Sequence, residues 1–264
     1  MITRTPIYAL FIGLIGISCS SIPVTEPKTV SPPLMIFAAA SLSDVLPEVG
    51  AIYENQLKAD LVFNFAGTNL LAQQILASSK ADIFVSANEK WMDTVEKAGQ
   101  IEHRTRKTLF SNTLVLVAQY GSTWTVNEAT NLCELDFQLL ALGDPDAVPA
   151  GHYAKQWLET VPCQNRNLWK TITGRISPTP NVRAVIGQIE ATDKILGIIY
   201  QTDYIAAKDR IQIIYTIPAD EGPPISYTIA QLQNTKNPQI AKSFIKFLFS
   251  DTAQIIFKKH GFLI

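Results

Sequence analysis

The sequence is poor in the residues that most catalytic and metal chemistry needs. It has three cysteines and three histidines along 264 residues, too few and too scattered for a zinc cluster. No excess of either charge is present. The 22 Lys and Arg residues stand against 23 Asp and Glu, giving a formal net charge of -1, so there is no basic footprint for nucleic acid. The G-x-S-x-G elbow, the G-x-x-x-x-G-K-[ST] phosphate loop and the H-E-x-x-H zinc motif are all missing. Beyond the first residues no apolar run is long enough to span a membrane, and no fixed-period repeat occurs. What is there, 47% hydrophobic and 17% charged residues, is the balance of a globular chain, enough for one large domain or two smaller ones.

The N-terminal stretch MITRTPIYALFIGLIGISCS differs from the rest. An early Arg4 precedes an apolar run from Ile7 to Ile17, then small residues and Cys19. That is the order of charge, apolar core and small residues in a secretory signal, and a cysteine directly after it resembles a bacterial lipoprotein signal. The expectation is a signal peptide over 1–19, with Cys19 as the lipidated residue and a Ser-, Thr- and Pro-rich tether over 20–33. Export places Cys133 and Cys163 in an oxidising compartment; a disulfide and two buried free thiols both fit.

From Leu34 onward, short apolar runs alternate with helical patterns. LMIFAAA, DLVFNFA, ADIFVSA, LVLVA, LLALG, LGIIY and IQIIYTI read as strands. Leu42 to about Leu57, NLLAQQILASS, EKWMDTVEKAG stopped by Gly99, GHYAKQWLE, NVRAVIGQIEA, PQIAKSFIKFLFS and DTAQIIFKKHGF read as helices. Strands alternating with helices predict an α/β fold with parallel pairing through crossovers.

Four strand-to-helix junctions carry small or hydroxylated residues: Ala40-Ser41, Ala66-Gly67-Thr68, Pro149-Ala150-Gly151 and Pro180-Asn181-Val182. A helix N-terminus offers unpaired N–H groups and about half a positive charge, which favours anions without any Lys or Arg. A hydroxyl there adds a donor, and small residues admit a close approach of the backbone. In open α/β sheets such junctions meet beyond the carboxyl ends of the strands. Taken singly, Ser41 with Asp44 also fits a plain capping box. His152 is the histidine near the suspected site, which leaves an exported hydrolase using Ser41 and His152 as a remote alternative. Asp144 in the GDP turn reads as a capping residue.

FAAASLSDVL, FAGTNLLAQQI, ADIFVSANEKWMD, GDPDAVPAGHYAKQWL, NVRAVIGQIE and LGIIYQTD, in this order, resemble the periplasmic molybdate-binding proteins of bacterial ABC importers, from about Ile36 to the final KKHGF. The resemblance implies a type II periplasmic-binding-protein fold, two α/β lobes with a ligand cleft between them. Lobe I would be 34–112 plus 217–264 and lobe II 113–216. It implies an oxyanion site made by the hydroxyl and backbone donors of Ser41 and Thr68, the N–H groups of Ala150 and Val182, and the phenol of Tyr200, the last found only through the resemblance. Where the family carries serine in a Ser-rich turn, this chain has Thr68 in Gly-Thr-Asn, which keeps the hydroxyl and adds a methyl. The ligand would be molybdate or tungstate, bound with no cofactor, no catalysis and no direct metal ligation. The partner would be an ABC permease. The chain would work as a monomer in the periplasm or on the outer face of the cytoplasmic membrane, held by the Cys19 lipid.

A site of donors only suits an anion that carries no proton. Molybdate, tungstate and sulfate meet that condition at neutral pH, whereas phosphate keeps a proton that needs an acceptor. A sulfate carrier is the alternative within this class, and a lipid-tethered sensor of the same anion another. Arg183 and Asp44, beside the carried-over positions, read as residues that stabilise the lobes.

Overall fold

The computed structural model describes residue 2 and residues 32–57, 59–78 and 80–264. The expected signal peptide over 1–19, Cys19 and the tether up to residue 31 lie outside the described residues. The described residues from 32 to 264 form one compact unit built on two five-stranded sheets.

The first sheet holds β1 (Leu34–Ala39), β2 (Leu61–Ala66), β3 (Ile83–Ser86), β4 (Lys107–Phe110) and, from far along the chain, β12 (Tyr227–Gln231), in the order β2-β1-β3-β12-β4. The second holds β5 (Leu114–Gln119), β6 (Leu139–Gly143), β9 (Ile176–Thr179), β10 (Ile195–Tyr200) and β11 (Ile211–Thr216), in the order β11-β5-β10-β6-β9. β7 (Pro162–Cys163) and β8 (Arg166–Asn167) form a small hairpin. The helices are α1 (Val45–Leu57), α2 (Thr68–Ala77), α3 (Glu89–Lys97), α4 (Pro149–Thr160), α5 (Leu168–Ile172), α6 (Val182–Ala191), α7 (Gln201–Ala207), α8 (Pro238–Leu248) and α9 (Asp251–Lys259). The chain passes from the first sheet to the second through residues 111–113 and returns through 217–226.

Both sheets are mixed, which corrects the expectation of purely parallel pairing. β12 runs antiparallel to β3 and β4, and β5 antiparallel to β10 and β11. Each is the strand entered directly after the chain changes sheets. No crossover helix precedes it, and parallel neighbours in one sheet need such a connection. The remaining pairs, β1 with β2 and β3, and β6 with β9 and β10, are parallel as expected.

Local chemistry accounts for the elements that frame the site. β1 lies between two strands, so LMIFAA reads as a continuous apolar run, buried at all but Met35. The helix expected from Leu42 begins later. A 3-10 turn, Ala40–Leu42, comes first and α1 starts at Val45, because Pro47 has no N–H for the Ser43 carbonyl. The stripe Val45, Leu46, Val49 and Tyr53 is buried, and the Tyr53 ring meets Phe244 and Phe247 at 5.0 and 5.3 Å. Asn88 caps α3 by accepting the Trp91 N–H at 3.1 Å, and Gly99, at φ 70°, ends the segment. Lys259 and His260 at the end of α9 reach Glu48 on α1 at 2.9 and 2.7 Å. Cys133 and Cys163 are joined as a disulfide with a Cα–Cα distance of 5.7 Å, which resolves the alternative left open by the sequence.

Candidate functional site

The four junctions meet. Ser41, Thr68, Ala150, Val182 and Tyr200 all line one small pocket at the carboxyl ends of β1, β2, β6, β9 and β10. Ser41 sits in the turn after β1, Thr68 opens α2, Ala150 lies in the first turn of α4 and Val182 opens α6. Tyr200 closes β10, only 1% exposed. None of the thirteen residues around the pocket is charged, and most are Ala, Gly, Val or Pro.

The helix ends point usable donors here. α2 and α4 begin at Gly67 and Val148 with no side-chain cap. The backbone ladder of α2 starts with Leu70 and Leu71 donating to Gly67, and that of α4 with His152 donating to Val148 at 3.0 Å. The first-turn N–H groups of Thr68, Asn69, Ala150 and Gly151 stand outside those ladders. At α6 the Asn181 side chain takes only the Ala184 N–H, at 3.0 Å. The Tyr200 hydroxyl is buried without a hydrogen-bond partner among the described residues. Burial, followed by the neighbouring Tyr227, raises its pKa well above the usual phenol value, so it stays protonated as a donor. A cavity of neutral donors can replace the hydration shell of an anion.

Two expectations about Ser41 and its neighbours change. Ser41 is not a helix cap. The residue before its turn is Ala39, no side chain caps that turn, and the Ser41 hydroxyl bonds instead to the Tyr227 hydroxyl at 2.8 Å. Asp44, the supposed capping-box partner, pairs with Arg183. Arg183 also donates to the Ser41 carbonyl at 3.5 Å and pairs through Nε with the buried Asp203 at 2.5 Å. Burial opposes the Arg183 charge, yet the Asp203 and Asp44 carboxylates outweigh it and raise its pKa. The guanidinium thus ties the turn at Ser41 to α6 and α7 and is spent on carboxylates. On another side of the pocket, the Trp91 indole donates to the Ala147 carbonyl at 2.8 Å and Lys90 reaches the Asp146 carbonyl at 3.4 Å. Both contacts link α3, which follows β3 of the first sheet, to the turn between β6 and α4 of the second.

His152 is not among the pocket-lining residues. Burial and the nearby Lys90 lower its pKa, and no Ser41–His152 pair is assembled among the described residues. Asp144 is the turn residue expected, its Oδ1 accepting the Asp146 N–H at 2.9 Å. Among the described residues no three His, Cys, Asp or Glu side chains gather as a metal site, and no helix is long and apolar enough to cross a membrane.

Residues 34–263 match the family of bacterial extracellular solute-binding proteins. The chain belongs to that family. Its members capture solutes and are not enzymes, which removes the hydrolase alternative. This solute-binding protein is 35% identical over 235 residues to the molybdate-binding protein ModA of Escherichia coli K12, covering 88% of this chain and 89% of the relative. Its fold matches the periplasmic molybdate-binding protein of Azotobacter vinelandii with a TM-score of 0.77 at 20% identity, over 88% of this chain and 99% of that one. It also matches the sulfate-binding protein SubI of Mycobacterium tuberculosis, with a TM-score of 0.75 at 13% identity over 88% and 86% of the two chains. The two-lobe architecture is therefore shared by proteins named for different oxyanions, and the fold alone does not choose between them.

Two residues that stand behind the pocket in this solute-binding protein escaped the sequence reading: Tyr227 and Asp203. Tyr227 opens β12, a strand hidden in YTIAQ, and reaches Ser41 from 186 residues away. No local spacing signals such a contact.

Proposed function

We propose that the protein captures molybdate or tungstate outside the cytoplasm and delivers it to an ABC permease. The observation that carries this reading is the meeting of three helix N-termini, the Ser41 and Thr68 side chains and the Tyr200 phenol in one uncharged pocket. A tetrahedral dianion accepts hydrogen bonds at all four oxygens and has no proton to give, so a lining of donors satisfies it. Hydrogen phosphate brings a proton with no acceptor, and each mispaired buried group costs roughly 1–3 kcal/mol. The identity to ModA supports molybdate over sulfate, which the donor set alone treats as an equal.

In this reading lobe I is 34–112 plus 217–264 and lobe II is 113–216, hinged at the two passages between the sheets. Ligand from solution enters the open form, and closure brings the donors of both lobes onto it and excludes water. The closed form then docks on the permease as a monomer. A lipid on Cys19 keeps the carrier at the membrane, and the tether lets it reach the transporter.

The test is calorimetry and thermal unfolding of the mature protein with molybdate, tungstate, sulfate and phosphate. Molybdate and tungstate are expected to bind and to raise the melting temperature most, sulfate less, and phosphate not at all. A larger effect of sulfate reassigns the protein as a sulfate carrier. No effect of any of these anions contradicts the proposal.

A further inference from the structure

Arg183 stands between two carboxylates that belong to different parts of the fold. It follows Val182 at the start of α6, beside the second sheet, and its Nε pairs at 2.5 Å with Asp203 on α7 of the same sheet. Asp203 is fully buried, so the guanidinium is anchored on that side. Its Nη2 crosses to Asp44, in the turn between the first-sheet strand β1 and α1. The same nitrogen reaches the Ser41 carbonyl at 3.5 Å.

The crossing sets this pair apart. Among the described residues, every other ion pair joins side chains from the segments that build one and the same sheet. Elsewhere around the pocket, Trp91 and Lys90 reach from the first sheet to main-chain carbonyls of the second. The Asp44 side chain is 45% exposed and that of Arg183 23%. Such a pair can part into water, and dissolved salt weakens it. In the carrier reading the sheets separate to admit the anion and come together on it. Separation breaks Arg183 from Asp44 and leaves Arg183 on Asp203.

We propose that Asp44 is a positioning residue that catches Arg183 when the two sheets come together, and that this pair sets the rate at which the bound anion leaves. The inference rests on the oxyanion-carrier reading and adds to it the control of release. Neither residue lines the pocket, so the pair acts through the walls. Val182 precedes Arg183 on one side, and Ser41 lies three residues before Asp44 on the other. Holding those walls together slows dissociation and leaves recognition to the neutral donors. Plain electrostatics has the opposite sign. A carboxylate near an anion site repels the anion, so removing it should tighten binding.

Asp44→Asn removes the charge, keeps the shape and lies at an exposed position. The test is the release of radiolabelled molybdate into excess unlabelled molybdate, for wild type and variant, at salt concentrations from about 0.01 to about 1 M. At the lowest salt the variant is expected to release the anion about fivefold faster, with the Kd raised accordingly. Raising the salt is expected to speed release from the wild type and to narrow the difference. Thermal melts complete the test. The variant is expected to match the wild type without ligand and to melt lower with molybdate bound. Unchanged release, slower release or a gap that salt does not narrow overturns the proposal. So does an equal fall in melting temperature with and without molybdate, which marks a merely structural pair. Failure of the wild type to bind either molybdate or sulfate is a different result and strikes the carrier reading itself.

Discussion

Asp203 shows how single residues are held behind the cleft. It is fully buried, and burial, partly offset by Arg183, lifts its pKa from 3.8 to about 6. Between those values the folded protein holds a proton that the unfolded chain has released. This group therefore makes stability fall as pH rises from about 4 to 6, the reverse of an ordinary surface carboxylate. Asp203→Asn removes that contribution. Urea unfolding across the window should show the wild type losing ground to the variant as pH rises, and a pH-independent difference between them contradicts the assignment. The same cluster explains which site residues could be read in advance. Ser41 and Thr68 announce themselves because a hydroxyl at a strand-to-helix junction is locally conspicuous. Tyr200 does not, since a phenol ending the apolar run LGIIY looks like core. Tyr227 and Asp203 act only through partners distant in the chain, and single-residue chemistry carries no trace of such contacts.

At the scale of elements, the site consists of helix beginnings whose first turns are left without caps on α2 and α4. Gly67 illustrates the closeness required. A Cβ added there would stand 2.6 Å from the Pro180 carbonyl, across the cleft. Gly67→Ala is expected to impede closure, raising the molybdate Kd about tenfold or more while changing the melting temperature of the ligand-free protein little. Calorimetry and a thermal melt on the same sample check this, and an unaltered Kd shows that the walls do not need to meet so tightly. The longer helices and the long parallel strands were legible because their periodicities are strong, whereas the short α5 and α7 were not read. Nor were β4, β9 and β12. β9 is a short edge strand that contains Pro178, and β12 is only five residues long, with Thr228 and Gln231 interrupting its apolar character although all five are buried. The antiparallel placement of β5 and β12 arises from the changes of sheet, a topological fact with no local signature.

At the scale of the molecule, two passages join the first sheet to the second, and a disulfide reinforces the part of the chain that builds the second. The Cys133–Cys163 bridge spans 30 residues within the part of the chain that builds the second sheet. Replacing both cysteines by serine is expected to cost about 3–4 kcal/mol of stability without altering the molybdate Kd, as denaturant unfolding and calorimetry would show. A large loss of affinity would mean that the bridge shapes the cleft. In the proposed function, neutral donors from both sheets, rather than any cation or protein-metal bond, hold the mineral anion. Anomalous scattering at the molybdenum edge, from crystals grown with molybdate, locates it. One strong peak is expected in the cleft, with oxygens within hydrogen-bond reach of Ser41, Thr68, Ala150, Val182 and Tyr200. A peak lodged elsewhere, with only solvent between those residues, would contradict it.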